Sequence, residues 1–189
     1  MPQYAKFLLL SAWLCSFCTL FPANSGARSD TDDASRAVQA FYDAYYTQRW
    51  EDAAAAFHPE TLKMLRGLFM QIAETPSSKA DHKQFLDIFG VRSLAEFKKL
   101  DGQTMIARVF RAMWRMFSDE AKHWWKTSKF SLIGTVKEGE LYHVVFRTSG
   151  AIDDKPISVV SVATAKQDRG TWKLLSSAEL QSLAQKLGR

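Results

Sequence analysis

The chain has 189 residues, with 25 Lys plus Arg against 20 Asp plus Glu and a formal charge of +5, and 47% of its residues are hydrophobic. That length and apolar content suit one folded domain with a real core and exclude a disordered or fibrous chain. The only cysteines, Cys15 and Cys18, sit close to the N-terminus, so the rest of the chain has neither a disulfide nor a thiol nucleophile.

Lys6 is the sole charge before Arg28, and Phe7 to Phe21 is an almost unbroken apolar run followed by small residues at Ser25 and Ala27. This is the pattern of a secretory signal peptide, 1–27, cleaved near Ala27. A retained anchor would want roughly 20 apolar residues. Export without disulfides points to a periplasmic or secreted product. The polar stretch 28–33, "RSDTDD", reads as a disordered N-terminus, and 34–189 as a single domain.

A helix is predicted from Ala34 to Thr47, because Val38, Phe41, Tyr42 and Tyr45 recur at i, i+3, i+4 and i+7. A short helix restarts at Trp50 and turns Ala53, Ala54 and Phe57 inward. Pro59 suits the first turn of a third helix, whose stripe is Leu62, Leu65, Phe69 and Ile72. "TPSSKA" is a loop, and "DHKQFLDIFG" a short helix stopped by Gly90. "SLAE" at Ser93 is a capping box. A longer helix over Gln103 to Phe117 is expected to bury Ile106, Val109, Phe110, Met113 and Phe117.

From Lys129 the apolar period changes to two. "KFSLIGTV", "ELYHVVFRTSG", "KPISVVSVATAK" and "GTWKLLSSAE" read as four strands of an antiparallel meander, joined by the turns "KEG", "DD" and "QDR". Ala178 to Leu187 has the spacing of a short C-terminal helix. Helices followed by a meander give an α+β class.

The "FYDAYY" helix, the "QRWEDAAAAFHPE" break and restart, and the closing strands together resemble the NTF2-like (SnoaL/ketosteroid-isomerase-like) superfamily. The resemblance covers Ala34 to Ser177 and implies a cone, in which N-terminal helices pack on a curved antiparallel sheet of about four strands. Residues 77–119 would be an enlarged helical insertion. Isomerases of that superfamily use a tyrosine on the first helix and a general-base aspartate after the second. Aligned on the break at Trp50, those positions hold Phe41 and Leu65, which can neither donate to an oxyanion nor take a proton. The isomerase site is therefore not expected, and the superfamily's range of activities leaves function open.

Tyr42 and Tyr45 read as core aromatics whose hydroxyls reach a cavity, or as ligand contacts. His58, between Phe57 and Pro59, suits a side-chain cap at the helix restart. With His143 and with Arg147, placed on the helix-facing side of its strand, these residues are the ligand-pocket candidates. His58, His82, His123 and His143 show no zinc spacing, so neither a metal nor a cofactor is expected. No Gly-rich phosphate loop and no Gly-x-Ser-x-Gly elbow occurs.

Arg108, Arg111 and Arg115, at i, i+3 and i+7, form a basic surface with Lys122 and Lys126, interleaved with Trp114, Trp124 and Trp125. Such a face suits an anionic membrane surface or an acidic partner, or is a solvated face over a buried aromatic stripe. Export argues against nucleic acid. The strands "LYHVVFRTSG" and "ISVVSVA" are apolar on both faces, so the second face is expected to be covered, by the extra helices or by the other subunit of a homodimer. The first expectation is a non-catalytic exported protein binding an amphipathic small molecule, a lipid or an envelope protein. An isomerase- or dehydratase-like enzyme with a Tyr/His/Arg pocket, or a purely structural or interaction domain with a filled cavity, are the alternatives.

Overall fold

The structure, a computed structural model, describes residues 29–75, 79–152 and 155–176. The expected signal peptide and cleavage site, the expected turn at 153–154 and the expected C-terminal helix lie outside them. The described residues form an α+β fold: α1 (Asp30–Tyr46), α2 (Trp50–Ala55), α3 (Pro59–Glu74), α4 (Lys79–Ile88), α5 (Leu94–Lys98), α6 (Gly102–Met116) and α7 (Asp119–Thr127) precede β1 (Lys129–Glu138), β2 (Leu141–Ile152), β3 (Lys155–Asp168) and β4 (Thr171–Leu174).

α1 starts four residues before the expected Ala34, which corrects the reading of Ser29 to Asp33 as disordered. The Ser29 hydroxyl accepts from the Asp32 amide at 3.2 Å, and Asp30, Asp32 and Asp33 occupy the first turn, where carboxylates favour the positive end of the helix dipole. What looks like a polar tail is a helix start. α5 and α6 are capped in the same way, by Ser93 on the Glu96 amide and by Asp101 on the Thr104 amide. α6 buries Trp114 where Met113 and Phe117 were expected; both of those are only partly buried. α7 has no counterpart among the predicted helices.

The four strands form one antiparallel sheet in the order β1-β2-β3-β4. Arg169 and Gly170, with φ 49° and 81°, make the tight β3–β4 turn, where positive φ at both central residues matches the twist of the strands. β4 is short and ends at Leu174. It is extended sideways by the chain between α2 and α3: the Leu174 amide donates to the Ala56 carbonyl, and the His58 amide to the Leu174 carbonyl, both at 2.8 Å.

Register assigns the two sheet faces. Tyr142, Val144, Phe146 and Thr148 are buried under the helices. Their alternates His143, Val145, Arg147 and Ser149 lie on the opposite face, paired with Thr164, Val162, Val160 and Ser158 of β3. α1 lies across the helix-side face and touches all four strands, and α7 packs on β2. Gly150 lets α7 come this close: a Cβ there would stand 2.9 Å from the Trp124 indole nitrogen. α3, α4 and α6 pack on one another, and Phe69, Phe85, Phe89 and Phe97 join ring to ring between α3, α4 and α5, with centroids 4.8–5.3 Å apart.

Candidate functional site

The stripe on α1 carries a row of rings into the sheet. Phe41 and Tyr42 sit 5.0 Å apart, and Tyr42 reaches Phe146 on β2 at 4.7 Å. Tyr45 is 7% exposed and packs edge-on against Phe110 of α6 at 5.1 Å and Trp50 of α2 at 5.5 Å. Burial pushes its phenol up to about 12, with Tyr46 beside it adding to the shift. It is therefore a neutral hydroxyl at any physiological pH, able to donate a hydrogen bond but not to act as a base.

Tyr46, the last residue of α1, was absent from the candidates because it falls off the α1 stripe. Its ring lies tilted by 40° against Trp125 at 5.4 Å, and Trp125 in turn meets Trp124 edge-on at 4.7 Å. Burial raises the Tyr46 phenol above its ordinary value, the neighbouring Thr148 hydroxyl lowers it, and Asp43 raises it further. The Tyr46 hydroxyl faces Thr148 without closing a hydrogen bond of good geometry, and the buried Trp124 indole N–H has no partner among the described residues. Thr148 and Gly150, the β2 residues nearest these groups, are two apart on one face, so the donors lie along roughly 7 Å of strand. Phe117, 6.3 Å from Trp125, extends the aromatic surround. One end of the helix–sheet interface thus combines aromatic walls with two buried donors left unpaired among the described residues. Such groups are rare in native proteins and mark places where something else accepts.

The other candidates are dispersed. His58 caps α3: its Nδ1 accepts from the Glu60 amide at 3.3 Å, and its own amide is held by Leu174, so the ring is committed to the chain. Arg147 is exposed on the face away from the helices, which corrects its placement on the helix side. His143 shares that outer face, with Nδ1 3.0 Å from the Thr164 hydroxyl and Nε2 2.9 Å from Glu138. The sheet therefore separates His143 and Arg147 from Tyr42 and Tyr45, and a combined Tyr/His/Arg pocket does not form. Among the described residues no group of His, Cys, Asp and Glu could hold a metal ion.

The basic surface is also partly committed. The Arg108 guanidinium donates to the Phe89 carbonyl at the end of α4, and Arg111 pairs with Glu51 of α2 at 2.8 Å. Lys122 pairs with Asp119 at 3.3 Å. Arg115 and Lys126 remain exposed without an ion pair among the described residues. Trp114 and Trp124 are 7% and 8% exposed and belong to the interior, not to a surface that could enter a membrane interface. No described helix is long and apolar enough to cross a membrane.

No protein-family model, no curated protein and no solved structure matches this chain.

Proposed function

We propose that the chain is an exported, non-catalytic protein of the NTF2-like type that binds an amphipathic small molecule at the junction of α1, α7 and β2. The observation that carries this reading is the pair of unspent buried donors, the Tyr46 hydroxyl and the Trp124 indole N–H, set among Trp125, Phe117 and Thr148. Aromatic walls suit an apolar tail, and two donors without an acceptor suit a carboxylate or carbonyl head. Tyr45 and Tyr46 are both held neutral by burial, and His58 and His143 are bound elsewhere. Order of helices before meander, the α1 break at Trp50 and the concentration of rings between α1 and the sheet support the NTF2-like assignment.

The test is calorimetric titration of the purified chain with laurate, a carboxylate on an alkyl tail, read together with tryptophan emission. Binding should shift the emission, since Trp124 and Trp125 line the site. Tyr46→Phe should weaken binding about tenfold, the worth of one hydrogen bond to a charged acceptor. Absence of heat and of any emission change with laurate and with its methyl ester would overturn the reading in favour of a filled interior. Equal binding by Tyr46→Phe would move the site elsewhere.

A further inference from the structure

The outer face of the sheet carries a valine band. Val136, Val160 and Val162 are more than half exposed, and Val145 lies between them on β2. The expectation that the extra helices cover this face is corrected, for α3, α4, α5 and α6 build their own cluster instead. Contiguous β-branched side chains across three paired strands mark a surface that another element covers. Beside the band, the pairing sets Glu138 of β1, Leu141 of β2, Lys166 of β3 and Lys173 of β4 in one row across the sheet. That row is acidic at its β1 end and basic at its β3–β4 end. Glu138 contacts His143, Lys166 reaches Glu140 at 3.8 Å, and Lys173 is spent on the Ala55 carbonyl.

The described chain ends at Ser176, at the edge of this face. The Leu175 amide donates to the Thr164 carbonyl at 2.8 Å, so the chain leaves β4 level with the row of Val136, His143 and Thr164. Residues 177–189 follow. In them Leu180, Leu183, Ala184 and Leu187 recur at i, i+3, i+4 and i+7. Ser177 suits an N-cap, Glu179 the first turn, Lys186 the last turn and Gly188 the stop. Ala178 to Leu187 as a helix measures about 15 Å. The three strand spacings from β4 to β1 come to about 14 Å.

We infer that residues 177–189 fold back as a helix across the outer face of their own sheet, running from β4 to β1. Leu180 then lies over Val160 and Val162, Leu183 and Ala184 over Val145, and Leu187 over Val136. The charges agree with this direction. The Leu175–Thr164 bond puts β4 to the right of β3 when the outer face is viewed with β3 running upward. β1 is then on the left, and the row of Lys166 and Glu138 is uppermost. A right-handed helix laid from right to left, leucines down, turns the flank of Glu179 and Lys186 toward that row. These two are seven residues apart, about 10 Å along the helix. Lys166 and Glu138 are two strands apart, also about 10 Å. Glu179 thus meets Lys166, and Lys186 meets Glu138. Arg147, on the other side of the band, faces Gln181 and no like charge. A lipid surface would ask for one sign of charge, and a second copy turned about the middle row would bring Arg147 onto His143 and gain no such pairing. The inference uses the side of the sheet opposite the ligand junction and does not depend on the ligand.

The experiment is disulfide trapping in the full chain carrying Cys15→Ser and Cys18→Ser, so that an introduced pair holds the only thiols. Circular dichroism confirms that each variant is folded. A disulfide joins Cβ atoms about 4 Å apart and so reports contact. Val145→Cys/Leu183→Cys should close within one chain under mild oxidation, read by intact mass and on a non-reducing gel. Val145→Cys/Gln185→Cys, whose second thiol points away from the sheet, should not. Hydrogen exchange of the parent chain should show the amides of 180–187 protected at least about tenfold over an unstructured segment, and Leu183→Asp should abolish that protection. Lys186→Glu should lower it about two- to fivefold, and Glu138→Lys/Lys186→Glu should restore it. Absence of the first disulfide, equal closure of both pairs, or unprotected amides in 180–187 overturns the inference. Links between two chains instead of within one overturn it in favour of a second copy on this face. A double charge variant no better than Lys186→Glu overturns the direction of the helix.

Discussion

Phe69, Phe85, Phe89 and Phe97 fill the space among α3, α4 and α5 with rings that carry no polar atom, while Tyr42, Tyr45, Tyr46, Trp124 and Trp125 fill the space between α1, α7 and β2 with rings that carry one each. The first cluster is finished: every ring is 5% exposed or less and nothing in it needs a partner. The second is not, because burying Tyr or Trp is favourable only when the hydroxyl or indole N–H finds an acceptor, and two of these have none among the described residues. One region is closed within the fold, and the other is the junction proposed above as the ligand site. What distinguishes them is the polar tip.

The sharpest way to break this contrast is Phe89→Ala. Phe89 is fully buried and touches three rings of its cluster, Phe69, Phe85 and Phe97. Its loss should cost about 3–5 kcal/mol, from transfer and from a cavity that three rigid neighbours cannot close. Urea unfolding gives this number, and the remaining native protein should bind laurate as wild type does. If the cost stays below about 1 kcal/mol, the Phe cluster is not a structural centre and the contrast fails.

The next effect is one of pH. Tyr45 titrates at about 12 in the folded chain against 10.0 for an unperturbed phenol. The folded state holds the proton more tightly, so the contribution is fully present below pH 10 and is lost as pH rises toward 12. Two pKa units correspond to roughly 2–3 kcal/mol. Stability measured by urea midpoint should therefore fall through that window, and Tyr45→Phe should remove most of the fall. A wild-type stability flat to pH 12 would place the hydroxyl in contact with water and remove Tyr45 from the interior.

How much of this was legible in the sequence follows from which signals are local. The α1 stripe, the break at Trp50, Pro59 opening α3 and the capping box at Ser93 are all set by residues within one or two turns, and all appear where the pattern places them. α7 is short and fully buries only Trp124, so it shows no stripe; its signal was the start, Ser118 capping the Ala121 amide with Asp119 and Glu120 in the first turn. Alternation along β2 sets the apolar Tyr142, Val144 and Phe146 apart from His143 and Arg147, but Val145 and the valines of β3 beside it blur the second face, and contact with α1 and α7 decides which face is covered. Likewise Arg108 and Arg111 share a flank in sequence, yet their partners, Phe89 and Glu51, are distant along the chain and invisible to spacing. The unspent donors are the extreme case: an absent partner has no sequence signature.

The smallest expected effect is the one that separates the two clusters most cleanly. In a finished core, removing a polar tip from a buried ring breaks a bond and costs stability. The Tyr46 hydroxyl is buried without a hydrogen bond of good geometry, so the folded chain already bears the desolvation of that group, on the order of 1–3 kcal/mol. Tyr46→Phe keeps the ring against Trp125 and Tyr42 and deletes only the oxygen. Its stability should be unchanged or up to about 1 kcal/mol higher than wild type, while laurate affinity falls. The two readouts move in opposite directions only if the hydroxyl serves a ligand. A stability loss above about 1 kcal/mol would show that Thr148 already accepts from or donates to Tyr46. The donor would then be spent within the fold, and the second cluster would be as finished as the first.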